Sequence, residues 1–142
     1  MSDPVALYSR ILASLRGGDD EATLRLFAPD FVIHEDPGMP YGGEIRGGAA
    51  FLRLFRKVYA TWGEQCLQLL FKLGDPEGGH AAGIFKLTGR RPGIAASIES
   101  FVTVAWTFRD DLASEVRIFY YDTPRLAEAL AASGWSHEHP GG

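Results

Sequence analysis

Apolar residues recur every three to four positions over residues 4–16, where Val5, Tyr8, Ile11 or Leu12, and Leu15 share a face and predict a helix. Gly17-Gly18 stops it. Asp19 or Asp20 can cap a second short helix through Phe27, with Ala22, Leu24, Leu26 and Phe27 on its apolar side, and Pro29-Asp30 ends it. Phe31-Val32-Ile33 opens a short strand over 31–35, and a Gly/Pro-rich loop follows over 37–48. Phe51, Leu52, Phe55, Val58, Tyr59 and Trp62 restore the helical period and predict a third helix over about 48–62.

Beyond Trp62 the period becomes that of strands. Apolar stretches at 65–73, 80–89, 95–109 and 113–121 are joined by turn chemistry: Gly74 to Gly79, Gly89-Arg90-Arg91-Pro92-Gly93, and Arg109-Asp110-Asp111. Short connections between long strands predict an antiparallel meander. Thr123-Pro124 starts a last helix, with Thr as N-cap, Pro at the first helical position and Leu126, Ala127 and Leu130 on one face. Ser133-Gly134 ends it, and residues 135–142 read as a mobile tail. Helices come first and strands later, which is the order of an α+β domain, here a single one over 1–134. Three helices laid across one strongly curved sheet would make a cone with a cavity.

Composition narrows the function. A chain of 142 residues suits one domain, which at this size buries about 68–70% of its unfolded surface. The net charge of −4 and the absence of a Lys/Arg cluster beyond Arg90-Arg91 argue against a nucleic-acid partner. No run approaches the roughly 20 apolar residues of a membrane span. The N-terminus lacks the basic and apolar regions of a leader, so the expected location is cytoplasmic. Cys66 is the sole cysteine and sits in an alternating stretch, as a buried thiol would.

The candidate chemistry gathers at His34-Glu35-Asp36, where the strand over 31–35 meets the loop. Carboxylates at the mouth of an apolar chamber acquire raised pKa values, which suits acid–base work. Glu35 has the strand parity of Phe31 and Ile33 and is expected inward, while His34 is expected outward. Asp36, before Pro37, has the position of a turn residue as well as of a second carboxylate. Trp106, Phe108, Val116, Ile118 and Tyr120 alternate along the last two strands and would line the sheet under the helices. Phe119 and Tyr121 would then face outward, and an exposed aromatic row predicts a homodimer through the outer sheet face. The consecutive His34, Glu35 and Asp36 cannot share one ion, and His137-Glu138-His139 matches no ligand spacing, so neither metal nor cofactor is expected.

Leu26-Phe27-Ala28-Pro29-Asp30, Glu35-Asp36-Pro37-Gly38, Pro40-Tyr41-Gly42-Gly43, Arg46-Gly47 and the late run Glu115 to Asp122 resemble the SnoaL-like branch of the nuclear transport factor 2-like superfamily. That superfamily includes ketosteroid isomerases, polyketide cyclases and limonene epoxide hydrolases. The resemblance covers nearly the whole chain and implies a cone-shaped, cystatin-like α+β barrel. Aligned without gaps, the isomerase general base falls on Glu35, and with a one-residue gap on Asp36. The isomerase's helix tyrosine falls on Ile11, with Tyr8 one turn earlier, and its protonated aspartic acid falls near Val104. Without two oxyanion donors, each worth about 10²–10³ in rate, steroid isomerisation is not expected. The resemblance therefore implies acid–base chemistry on an apolar small molecule, with Glu35, Asp36 and Tyr8 as catalytic candidates. Tyr41, Phe55, Tyr59, Val104, Trp106, Ile118 and Tyr120 are the candidates for substrate binding. A non-catalytic carrier of the same fold is the alternative.

Overall fold

The computed structural model describes residues 2–63, 66–89 and 98–132. In chain order the elements are α1 (Pro4–Gly17), α2 (Asp20–Leu24), β1 (Phe27–Glu35), β2 (Gly43–Arg46), α3 (Gly48–Trp62), β3 (Leu67–Asp75), β4 (His80–Gly89), β5 (Ile98–Arg109), β6 (Leu112–Tyr120) and α4 (Thr123–Ala132). The strands form one curled six-stranded sheet in the order β2-β1-β6-β5-β4-β3. From β3 to β6 it is the antiparallel meander that the turns predict. β1 and β6, however, pair in parallel, which places the first long strand beside the last. The Ser133-Gly134 helix stop, the Arg90-Arg91 turn and the tail expected over 135–142 lie outside the described residues.

Side-chain oxygens start the first two helices. Asp3 accepts from the Val5 amide at 3.1 Å, and Asp19 from the Ala22 amide at 3.0 Å. The second helix is shorter than its apolar pattern predicts. It ends at Leu24, because the Leu26 carbonyl accepts from the Ala113 amide at 2.9 Å and the chain has already joined the sheet. β1 correspondingly begins at Phe27 rather than at 31. Pro29-Asp30, expected to end a helix, instead lies where the pairing register breaks: Phe27 opposes Ala113 and Val32 opposes Glu115. A bulge of this kind accommodates a residue that cannot donate to the ladder.

Two further expectations are corrected, one within the loop over 37–48 and one at the start of α4. Residues 43–46 form the edge strand β2, with Ile45 opposite Ile33. The N-cap of α4 is Asp122 rather than Thr123: Asp122 has φ 62° and its carboxylate accepts from the Arg125 amide at 3.4 Å. The Thr123 hydroxyl is used elsewhere, as described below.

The core is an aromatic cluster around Trp106. Its ring stacks on Phe31 at 6.1 Å and on Phe108 at 6.3 Å, and meets Phe51 edge-on at 5.6 Å. Tyr8 of α1 reaches the same cluster, 5.7 Å from Trp106. It can do so because residue 83 is glycine; a Cβ there would stand 2.4 Å from the Tyr8 hydroxyl. On the outer face of the sheet, His34 contacts Glu115 at 2.7 Å, while Phe119 and Tyr121 are 58% and 71% exposed. Among the described residues, no helix is long and apolar enough to cross a membrane.

Candidate functional site

The cavity lies between the inner face of the sheet and the helices α1 and α3. Tyr8, Leu12, Leu15 and Arg16 of α1, and Phe51, Phe55, Tyr59 and Trp62 of α3, form its roof. Phe85, Val102, Val104, Trp106, Ile118 and Tyr120 form its floor, and Met39, Tyr41 and Leu126 close one end. The cavity has a volume of about 110 Å³. An apolar chamber with few polar groups is the usual form of a small-molecule site.

Glu35 is the one acidic side chain lining the chamber among the described residues. The inward parity of β1 puts it there, and it is only 5% exposed. Tyr120, on the adjacent parallel strand, donates its hydroxyl to both carboxylate oxygens, at 2.9 and 3.1 Å. The Tyr41 hydroxyl lies 2.9 Å from that of Tyr120. Since Tyr120 gives its proton to the carboxylate, Tyr41 donates to Tyr120, and the three groups form a relay with one acidic end.

Burial sets the proton affinity of this relay. Loss of solvent pushes Glu35 from its ordinary 4.5 up to about 8, overcoming the Tyr120 hydroxyl and the Asp36 backbone amide, which favour the charged form. Tyr41 and Tyr120 are held well above the ordinary phenol range by burial first and by the neighbouring Glu35 charge second. Both phenols are thus donors at any physiological pH, while Glu35 changes state close to it. A carboxyl titrating near the working pH can both take and give a proton.

The other sequence candidates separate in space. Asp36 does not line the chamber; its side chain holds the fold together behind it. One oxygen accepts from the Gly38 amide at 2.8 Å and the other from the Thr123 hydroxyl at 2.6 Å, clasping the loop after β1 to the start of α4. Asp36→Ala should therefore lower stability by about 1–2 kcal/mol and leave the pKa of Glu35 close to that of the wild type. Chemical denaturation and carboxyl-resolved NMR titration check the two parts separately.

Tyr8 does line the chamber, with its pKa raised chiefly by burial, but no hydrogen bond joins it to Glu35 among the described residues. The Trp106 Nε1–H lies close enough to favour the Tyr8 phenolate, yet it is buried outside hydrogen-bond geometry with any partner. Tyr41, Phe55, Tyr59, Val104, Trp106, Ile118 and Tyr120 all line the chamber. Ile11 is buried away from it, and Val104 presents only an apolar wall. Sequence reasoning did not anticipate Arg16, Met39, Phe85 or Leu126. The helical period does place Arg16 one turn beyond Leu12, on the chamber side of α1, and that was the available signal.

The chain matches the SnoaL-like domain family over residues 8–116. An NTF2-like protein from Burkholderia thailandensis superposes with a TM-score of 0.76 at 21% identity, covering 92% of this chain and 98% of that one. TerC, co-crystallised with polyporic acid, gives a TM-score of 0.72 at 20% identity, covering 92% and 99%. A candidate polyketide cyclase from Pseudomonas putida gives 0.66 at 16% identity, covering 91% and 98%. Identities this low carry the fold and not the reaction. The chain has no match among curated proteins. Since the family match spans well over half of the sequence and the curled sheet with its helices is that of the NTF2-like structures, the chain belongs to the SnoaL-like domain family.

Proposed function

We propose that this protein is a cofactor-independent enzyme that transfers protons on an apolar, carbonyl-bearing small molecule of polyketide, steroid or terpenoid type. Isomerisation, cyclisation and hydration all fall within that chemistry; isomerisation of steroids themselves does not, because Ile11 and Val104 offer no hydrogen bond. The observation that carries the reading is the buried Glu35 at the end of the Tyr41–Tyr120 relay, facing an apolar chamber. Ionised Glu35 takes a proton from the carbon beside the carbonyl and becomes a carboxylic acid, then returns that proton to the product. Once Glu35 is protonated it is a weaker acceptor, and the Tyr120 hydroxyl can turn its donation to an oxygen within the chamber. The polyporic acid co-crystallised with TerC and the candidate polyketide cyclase from Pseudomonas putida support the ligand class.

The test is a thermal-shift screen of polyketide-like, steroid and terpenoid compounds, followed by turnover of each binder by wild type and Glu35→Gln. The expected loss in Glu35→Gln is about 10²–10⁴-fold. The wild-type rate should rise with pH through an apparent pKa near 8, where Glu35 ionises. Equal turnover by both proteins removes Glu35 as the base. Binding with no turnover by either selects the carrier reading, which the apolar oxyanion positions favour.

A further inference from the structure

The chamber communicates with a wider surface groove lined by Leu15, Arg16, Arg56, Tyr59, Ala60, Leu67, Gln68 and Leu69. Four residues line both spaces (Leu15, Arg16, Tyr59 and Leu67) and so mark the aperture between them. The charges at this aperture are unbalanced. Arg56 is held by Asp20 at 2.7 Å and by the Leu15 carbonyl at 3.3 Å, and lies 5.5 Å from the Phe55 ring centre. Arg16, in the last turn of α1, has no ion-pair or hydrogen-bond partner among the described residues. No described acidic residue lines the groove, and Glu35 is the sole described acid of the chamber. The Arg16 charge nevertheless reaches inward, where it favours the phenolate forms of Tyr8 and Tyr59.

Position along the sheet separates this charge from the acid. Glu35 stands on β1 and Leu67 on β3, with β6, β5 and β4 between them. Four strand spacings make about 19 Å along the curl. A ligand long enough to cross the floor would have one end at the Glu35 relay and the other near Leu67, which shares both linings with Arg16.

We infer that Arg16 is a specificity-determining residue and that the ligand is an amphipathic anion: an apolar ring body with an oxygen function at Glu35 and a carboxylate at the aperture. This assignment rests on the chamber being the ligand site. The ligand's carboxylate and Glu35 stay at opposite ends of the chamber, four strand spacings apart, so the ionised base and an anionic ligand are compatible. Arg16 carries no proton in the reaction; it orients the ligand and selects its charge.

The test compares 2-naphthoate with the neutral 2-acetonaphthone by titration calorimetry at pH 6.5. The wild type should bind the carboxylate about two- to fivefold more tightly than the ketone, the range of a single partly exposed charge pair. Arg16→Gln should abolish the preference, Arg16→Lys should retain most of it, and added salt should weaken it. Arg16 is exposed, so both variants keep the packed core. Equal affinity for the two probes, or a preference unchanged in Arg16→Gln, overturns the assignment. Val104→Phe, which fills the floor, then tells the readings apart: ketone binding that it abolishes leaves the chamber as the ligand site. Ketone binding that it does not touch removes the chamber and the Arg16 assignment together. Failure of both probes to bind also overturns the assignment.

Discussion

Raising the pH from 6 to 9 should lower the stability of this protein by about 3 kcal/mol, or roughly 10 °C in Tm, and Glu35→Gln should abolish most of that loss. The sign follows from proton counting. In the unfolded chain Glu35 ionises near 4.5, while in the folded chain burial delays ionisation to about 8. Between those values the unfolded state binds fewer protons, so stability falls as pH rises, and the fall is complete once the folded carboxyl has ionised. Glu115 has the opposite sign. The His34 hydrogen bond, with Arg117 nearby, lowers its pKa, so its contribution is present in neutral solution and lost in acid. Maximum stability is therefore expected near pH 4.5, where the two trends meet. Glutamine reproduces the neutral form of Glu35 and still accepts from Tyr120. Urea denaturation at pH 6, 7, 8 and 9 supplies the measurement; an equal slope in wild type and Glu35→Gln would show that some other group carries the titration.

Trp106→Ala should cost about 3–5 kcal/mol, the largest loss expected from any single truncation in this fold. The indole is 2% exposed and touches rings from α1, β1, α3 and its own strand, so its removal opens a space that none of these elements can collapse into alone. Trp106→Phe separates packing from polarity. It keeps an aromatic ring in the cluster and deletes an Nε1–H that is buried without a partner, so its loss should be less than half that of alanine. Thermal and urea unfolding of both variants provides the comparison. Comparable losses in the two would mean that a phenyl ring cannot replace the packing of the indole.

The fold was legible wherever a long apolar period ran uninterrupted. α1, α3 and the meander over β3 to β6 follow directly from such periods. It was misread where a local signal competed with a distant one. Pro29-Asp30 is a strong stop in isolation, and only the pairing of Leu26 and Phe27 with Ala113, far away in sequence, turns it into a bulge. β2 escaped notice because Gly43-Glu44-Ile45-Arg46 offers one apolar residue, and its partner strand supplies the rest of the reason for it to be extended. Thr123-Pro124 has the form of a cap, yet a carboxylate from residue 36 takes the hydroxyl.

The candidate site shows the same division. Strand parity was enough to turn Glu35 and Tyr120 toward one face. That they touch depends on β1 and β6 lying side by side in parallel, which no local pattern encodes. The separate duties of Glu35 and Asp36 were also beyond the sequence, since two adjacent carboxylates before a proline look alike until the fold buries one and clasps the other.

The parallel junction of β1 with β6 also bears on how the molecule is made. Glu35 leaves the ribosome 85 residues before Tyr120. Until the last strand emerges, the inner edge of β1 has no neighbour, and the carboxyl remains hydrated, ionised and unable to enter an apolar interior. Folding of the barrel must therefore await the emergence of β6, as expected for a topology dominated by distant contacts. The proton that Glu35 carries in the finished protein is taken up at that late closing step.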